Sequence, residues 1–373
     1  MSRPADIVIV GAGMAGASLA AEIADSASVL ILEAESLPGY HSTGRSAAFW
    51  SESYGGPLVQ PLTTASGHFL RSPPPDFADQ PFLTARGAIH LADAKGRSEL
   101  DALSAEFASA SLPLERMDRS ALEAALPDLR PGWDWGLSEP TCADIDVAGL
   151  HSAYLKRARA RGAGIVTDAR VERAERHAGG WRIETRGGTF EADVLVDAAG
   201  AWADEVALAA GERPLGIRPH RRTLVQLRVA PPVRADLPLV IDALGRFYFK
   251  PEAGGRLWLS PHDETPCDPC DCAPEEYDVA LAIDRMEQAV SWRVERVERS
   301  WAGLRSFAPD RLPVYGYSET GRGFFWCAGQ GGFGIQTAPA AAKLAAALLL
   351  RRPADGDVAH IDPSHYSAAR FPI

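Results

Sequence analysis

The stretch Asp6-Ile7-Val8-Ile9-Val10-Gly11-Ala12-Gly13-Met14-Ala15-Gly16 constrains everything that follows it. Near-continuous β-branched side chains from Ile7 to Val10 read as a strand buried on both faces, as in a parallel sheet. A Gly-x-Gly-x-x-Gly turn follows at once, and the apolar run from Ala15 to Ala24 predicts a helix that starts inside the motif. Val29 to Leu32 predicts a second parallel strand, ending in Glu33. Gly11 permits the tight turn, Gly13 keeps side-chain bulk off a pyrophosphate, and Gly16 lets the helix approach the sheet. Free N–H groups at the helix start, around Ala15, face phosphate charge. Glu33, with Ala34 beside it, sits at a strand end where a carboxylate accepts both ribose hydroxyls of an adenosine. The motif alone arises by chance in a glycine-rich chain. Strand, turn, helix and acid together indicate an adenine dinucleotide.

At 373 residues the chain is long enough for two domains or one large α/β unit. A formal charge of -11, with both signs mixed throughout, argues against nucleic acid or an anionic membrane as main partner. No run approaches the length of an uncharged apolar membrane span, and a strand beginning near residue 6 leaves no room for a signal peptide. Five cysteines, an odd count, suggest a reducing compartment. The expectation is a cytoplasmic protein without a transmembrane segment, monomeric or weakly oligomeric.

After the acid comes a polar, glycine-punctuated loop, Gly39-Tyr40-His41-Ser42-Thr43-Gly44-Arg45-Ser46-Ala47-Ala48, with no strand period. Its hydroxyls, amides and arginine suit a long dinucleotide with a second ring. Residues 57–145 carry short elements broken by prolines, and Leu122 to Leu137 has no assignable period. An amphipathic helix follows Asp146, with Leu150, Tyr154, Leu155 and Ala158 on its apolar face. Residues 164–196 alternate as strands with Gly179-Gly180 and Gly187-Gly188 turns, closing in Asp197-Ala198-Ala199-Gly200-Ala201-Trp202. Residues 222–307 read as a separate antiparallel sheet with one helix, Glu275 to Ala289, and a strand near Val294. Last, Phe324 to Ala328 enters the glycine turn Gly329-Gln330-Gly331-Gly332-Phe333-Gly334-Ile335, which opens an Ala/Leu helix.

Nicotinamide enzymes and flavoenzymes share the first fingerprint. Here the second strand opens into the Tyr40–Ala48 loop instead of a further βαβ unit, and two later glycine turns end central strands. That favours FAD, held from several sides. The runs Gly39 to Ala48, Leu195 to Trp202, Pro219-His220-Arg221-Arg222, Phe247 to Pro251, Trp301 to Phe307 and Gln330 to Thr337 resemble the D-amino-acid oxidase superfamily, and most closely its D-arginine dehydrogenases. The resemblance spans nearly the whole chain in one order. It implies an α/β fold: a Rossmann-like FAD-binding domain of discontinuous segments (1–56, 145–215, 308–373) and a mostly antiparallel substrate domain (57–144, 216–307).

Carried onto matching positions, the resemblance implies that FAD contacts His41, Ser42, Thr43, Arg45, Ser46, Ala47, Ala48, Val171, Ala199, Gly200, Trp202, Gly303, Gly331, Gly332, Phe333, Gly334 and Ile335. It implies Arg222 and Arg305 as the clamp on a substrate carboxylate, the geometry a guanidinium suits. Tyr248 adds a hydroxyl, Tyr54 closes the pocket as a lid hinged at Gly55-Gly56, and Gly332 backbone meets the amine. Taken without the resemblance, both arginines also fit structural ion pairs. The implied reaction is hydride transfer from Cα of a D-amino acid to flavin N5, with hydrolysis of the imino acid to a 2-oxo acid and ammonia. The relatives imply a dehydrogenase; the electron acceptor (a quinone, carrier protein or oxygen) and glycine, sarcosine or another secondary amine as substrate stay open, as does a non-catalytic FAD-binding role.

Two positions depart from the arginine-specific pattern. Ala88 replaces the acid that would pair with a substrate guanidinium, and Phe49, beside Trp50, replaces a histidine. A buried cationic side chain would lack a partner, so neutral or apolar side chains are expected unless Asp93 compensates. His41 reads as a loop or flavin contact more than as a base, and His220 as either structural or titrating near the site. Cys267, Cys270 and Cys272 read as an incidental surface cluster, with zinc or a redox pair as alternatives. No metal site is assigned.

Overall fold

The computed structural model describes residues 5–110, 112–177, 179–321 and 323–371. β1 (Ala5–Val10), α1 (Met14–Ile23) and β2 (Val29–Leu32) form the strand–turn–helix–strand unit expected from the sequence. In an eight-stranded sheet β1 lies between β2 and the far half of strand Gly188–Asp197, parallel to both. Strand Gly164–Val166 continues the parallel set beyond β2, and Phe324–Ala328 continues it beyond Asp197. The near half of Gly188–Asp197 instead pairs antiparallel with Gly180–Thr185, the second arm of a hairpin from Val171. One strand therefore serves two kinds of sheet. Its outer residues alternate between exposed and buried, whereas Leu195 to Asp197 are buried throughout.

The parallel strands are almost wholly aliphatic because helices cover both faces. On one face α1 packs with helices Val147–Ala160 and Ala338–Leu349 around Ile9, Tyr154 and Leu344. On the other lie Val8, Trp181 and Trp326, with helix Ala203–Ala209. Val8 and Ile9 are fully buried, each worth about 1.5–3 kcal/mol. A Cβ on Gly16 would lie 2.0 Å from the Gly11 carbonyl oxygen, and one on Gly11 would lie 2.5 Å from that of Ala198. Gly11 also has φ of +101°, so turn, helix and the Asp197–Gly200 strand end interlock through bare backbone.

A second sheet has ten strands, mostly antiparallel, with Leu239–Asp242 pairing parallel to Ala88–Ala92. Its longest members, Arg218–Ala230 and Arg293–Phe307, pair along their whole length. One face carries Val225, Leu227, Phe247, Phe249, Leu257 and Leu259 into a core with helix Glu276–Ala289. Alternation turns Arg222, Leu224, Tyr248, Gly303 and Arg305 to the opposite face, toward the dinucleotide fingerprint.

Several expectations change. The strand near Val294 is fifteen residues long and contains the whole Trp301–Phe307 run. Leu122 to Leu137 divides into the end of helix Arg119–Ala125, a loop, and the start of strand Trp135–Glu139. That loop lacks a period because Arg119 supplies its order, donating to the carbonyls of Leu129, Arg130 and Trp133. Phe49–Trp50, directly after the Gly39–Ala48 loop, is a short strand paired with Ala143–Ile145. The expected boundary at residue 57 also shifts. Leu62, Phe69, Leu70, Phe77 and Phe82 join the core of Ile9 and Tyr154, and the chain enters the ten-stranded sheet at Ala88.

Gly16→Ala should lower the apoprotein's melting temperature, at a cost on the order of 1–3 kcal/mol or more. Gly13→Ala, whose Cβ would meet only the Thr43 hydroxyl at 3.4 Å, should leave that temperature close to the unmodified value and weaken dinucleotide binding instead. Thermal unfolding with and without added dinucleotide reads both.

Candidate active site

Between the two sheets runs a cavity of about 400 Å³, with Glu33 at one end and Arg222, Tyr248 and Arg305 at the other. Of the residues expected to hold a cofactor, all line this cavity except Gly16, Ala48 and Phe333. Gly16 acts through the backbone contact already described. Ala48, at φ +57°, gives its carbonyl to Ile145 N–H. Phe333 turns away to pack on Val59 and Phe307, and its N–H is taken by the Gln330 carbonyl.

At the Glu33 end one carboxylate oxygen accepts Ala12 N–H at 2.8 Å and the other accepts Glu35 N–H at 2.9 Å. Each keeps a lone pair for a ribose hydroxyl. His151, from the amphipathic helix, holds the adjacent turn by donating Nε2–H to the Ala12 carbonyl at 2.8 Å. Nothing in the sequence separates it from its apolar neighbours. Helix α1 has glycine at its N-cap and no side-chain cap, so its first turn opens on the cavity. Thr43 Oγ1 accepts Met14 N–H at 3.0 Å and so steadies that turn.

Two polar loop residues face elsewhere than expected. Arg45 lines the cavity, yet its guanidinium is committed to the Asp271 carboxylate and to the carbonyls of Cys272 and Ala302. Ser42 donates to the Leu304 carbonyl at 2.6 Å, clasping the long strand. His41 bonds Glu35 at 2.9 Å and packs on Trp202, as a loop contact rather than a base. His220 faces Phe307 outside the cavity.

At the far end Arg222 pairs in register with Gly303 and His220 with Arg305, which puts the two arginines on a diagonal of one sheet face. The glycine across from Arg222 lets Arg45 pack closely on the sheet, since a Cβ there would lie 3.2 Å from Arg45 Cβ. Arg222 is 3% exposed. Its Nε donates to the Asp263 carbonyl at 2.6 Å and one Nη to Glu264 at 3.1 Å, whereas the other Nη has no partner. Burial, then the Arg305 charge, pull its pKa below the ordinary arginine value. Arg305 donates to the Tyr54 hydroxyl at 2.7 Å, and the buried Tyr248 hydroxyl has no partner. Tyr54 packs so tightly on Gly332 that a Cβ there would lie 2.1 Å from its hydroxyl.

The residues expected to set specificity separate. Phe49 packs edge-on against Tyr54 and Tyr248. Trp50, pointing the other way along the same short strand, is buried in the α1 core and bonds the Thr63 carbonyl. Ala88 backs Leu224 and Tyr248 in an apolar cluster. Asp93 does not compensate for the missing acid, because Arg246 binds it at 2.9 Å. The carboxylates lining the cavity are Glu33, Glu35, Glu172 and Glu205, gathered at the ribose end by Ala169 N–H on the Glu33 carbonyl and the Arg170–Glu205 pair. Sequence reading missed Leu224, Leu304, Ser306 and Gln330 in the lining; strand alternation from Arg222 marks Leu224 alone.

Cys267, Cys270 and Cys272 are free thiols, and among the described residues no group of three or more potential ligands is placed to hold a metal. Burial, then the neighbouring Cys270, push the Cys272 thiol up to about 11.

Residues 6–348 match the family profile described as FAD dependent oxidoreductase. The chain belongs to that family. Its curated relatives include glycine oxidase of Geobacillus kaustophilus, 26% identical over 59% of this chain and 57% of that protein. Mitochondrial dimethylglycine dehydrogenase of Mus musculus is 28% identical over 62% of this chain and 29% of that protein. The chain thus aligns with little more than half of the first relative and under a third of the second. Among solved structures, the G. kaustophilus glycine oxidase superposes with TM-score 0.84 at 23% identity, covering 97% and 98% of the two chains. L-proline dehydrogenase from P. horikoshii gives 0.84 at 19%, covering 100% and 98%. L-α-glycerophosphate oxidase from Mycoplasma pneumoniae, solved with FAD bound, gives 0.81 at 16%, covering 94% and 95%. The narrower likeness to D-arginine dehydrogenase gains no support from these relatives.

The cofactor of this oxidoreductase is FAD, and the residues present fit it. The cavity offers a ribose acid, a helix start with glycine at its N-cap, and glycine-rich walls at Gly200, Gly331, Gly332 and Gly334. Near its far end His262 stands on edge against Tyr248, at φ +58°, and its imidazole is depressed to about 2 by burial, then by the Arg222 and Arg305 charges. A depressed histidine is neutral in the folded state and charged when unfolded below its ordinary value of 6.5. Its contribution to stability is therefore complete above that pH and lost progressively as pH falls below it. His262→Asn, which tolerates the same backbone, should flatten the acid-side fall of melting temperature between about pH 6.5 and 4.

Proposed function

We propose that this FAD-dependent oxidoreductase oxidises the Cα–N bond of D-α-amino acids, preferring neutral or apolar side chains over D-arginine. The observation that carries this reading is charge: the buried Arg222 and half-buried Arg305 guanidiniums meet at the cavity end, and the carboxylates near them, Glu264 and Asp263, stand behind Arg222 and do not line the cavity. Desolvated cations of this kind are costly unless an anion joins them. A substrate carboxylate supplies it, taking the spare Nη of Arg222, the Arg305 guanidinium and the unpartnered Tyr248 hydroxyl. A second cation on the substrate would meet the cavity-lining Ala47, Leu224 and Tyr248, apolar residues backed by Ala88 and Phe49, without a counter-charge. That disfavours arginine.

FAD, when bound, would supply the acceptor for a hydride from Cα. The chain's own part is positioning: the arginines and Tyr248 hold the carboxylate, the Gly332 backbone lies where the amine approaches, and Tyr54 shuts out water. Water then converts the released imino acid to the 2-oxo acid and ammonia. Glycine, sarcosine or another secondary amine forms the second reading. It is favoured by the close Tyr54–Gly332 contact, which leaves little room beyond Cα, and by relatives named glycine oxidase and dimethylglycine dehydrogenase.

Anaerobic flavin reduction across D- and L-alanine, proline and phenylalanine, glycine, sarcosine and D-arginine separates the readings. Bleaching by neutral D-substrates, and weakly by D-arginine, is expected. Reduction by L-substrates alone overturns the stereochemistry, by glycine and sarcosine alone selects the second reading, and by none of the panel favours a non-catalytic role. We include a dehydrogenase as part of the proposal; stoichiometric peroxide in air would make it an oxidase. Arg305→Ala should weaken binding of a substrate carboxylate by about 2–5 kcal/mol, a factor of roughly 30 or more, while retaining FAD.

A further inference from the structure

We propose that Glu139 is a positioning residue for Tyr54, fixing the loop from which that tyrosine meets Arg305. This rests on the carboxylate clamp proposed above. Glu139 ends strand Trp135–Glu139 and is 0% exposed. One of its oxygens accepts the N–H groups of Glu52 at 2.7 Å and Ser53 at 3.3 Å. The other accepts the hydroxyls of Ser51 at 3.0 Å and Ser53 at 2.6 Å, with His90 Nε2 at 3.3 Å.

Every group turned on this carboxylate is a donor. Two are backbone amides that cannot reverse, so the oxygen they share must stay an acceptor, while the other oxygen is the common acceptor of two hydroxyls and His90. These bonds hold Glu139 ionised, its pKa lowered although burial alone would raise it. From the opposite side Gln336 accepts Ser51 N–H and donates to the carbonyls of Ser51 and Tyr54. Gln336 follows directly on the glycine turn that lines the cavity. Residues 51–53 are thus a fixed post between two buried anchors. Movement of Tyr54 is left to Gly55 and Gly56, at φ +104° and +81°.

Glu139 does not line the cavity, so its influence passes through Tyr54 to the Arg305 guanidinium. Glu139→Gln keeps the shape, removes the charge and takes away the common acceptor of the Ser51 and Ser53 hydroxyls and His90. In the holoenzyme it should speed amide hydrogen exchange across residues 51–54 at least tenfold. It should also weaken benzoate, a probe carboxylate read by the flavin spectrum, at least tenfold, with FAD content retained. In a Tyr54→Phe background the same change should alter benzoate affinity less than twofold, since the route is already cut. A fully additive loss, or unchanged exchange, overturns the proposal. If Glu139→Gln fails to fold, Ser53→Ala removes one hydroxyl anchor and should shift both readouts the same way, more weakly; no shift there also overturns it. Failure of the unmodified enzyme to bind benzoate would sink the carboxylate clamp, and with it the route through Arg305, while the exchange comparison still decides whether Glu139 anchors the loop.

Discussion

Unbalanced positive charge is the constraint on which the site depends. Arg222 and Arg305 are brought onto one face of an antiparallel sheet by a register that sets a glycine across from the first. Such a pair is a standing cost, offset in part by Glu264 and by the carbonyl and carboxylate of Asp263 behind Arg222, and by the Tyr54 hydroxyl at Arg305. Much of the surrounding architecture can be understood as keeping that arrangement in place. The core of helix Glu276–Ala289 stiffens the far side of the sheet, and Ser42 and Arg45 tie the cofactor loop to the strand that carries Arg305.

The cations at the other end of the cavity are already paired. Arg170 binds Glu205, and the charge of Arg45 is spent on Asp271 and two carbonyls. Backbone N–H groups and the first turn of α1 are left to meet pyrophosphate charge. Preorganised amides need no reorientation when an anion arrives. That division leaves the arginines free to select a carboxylate.

Local constraints were legible in the residues themselves. A β-branched run, three spaced glycines and an acid describe β1, α1 and β2 because turn geometry and phosphate approach leave few alternatives. The antiparallel sheet was visible from alternation, and Arg222, Tyr248 and Arg305 from a resemblance. What stayed hidden depends on contacts far apart in sequence. Phe49 and Trp50 look equivalent until their two-residue strand sends them to opposite sides. Glu139 finds its partners at Ser51 to Ser53 and His90, and no period marks such a junction. His262 owes its suppressed basicity to two arginines remote along the chain.

The eight-stranded sheet has a consequence for synthesis. β1 and β2 leave the ribosome long before their neighbours: the strand beside β1 is made of residues 192–197, and the next strand outward is Phe324–Ala328. Helix Ala338–Leu349, whose Leu344 and Ala345 complete the α1 core, emerges later still. The nascent nucleotide-binding unit therefore keeps an apolar flank uncovered until residues 324–349 have emerged, and its flavin site is assembled no earlier than that.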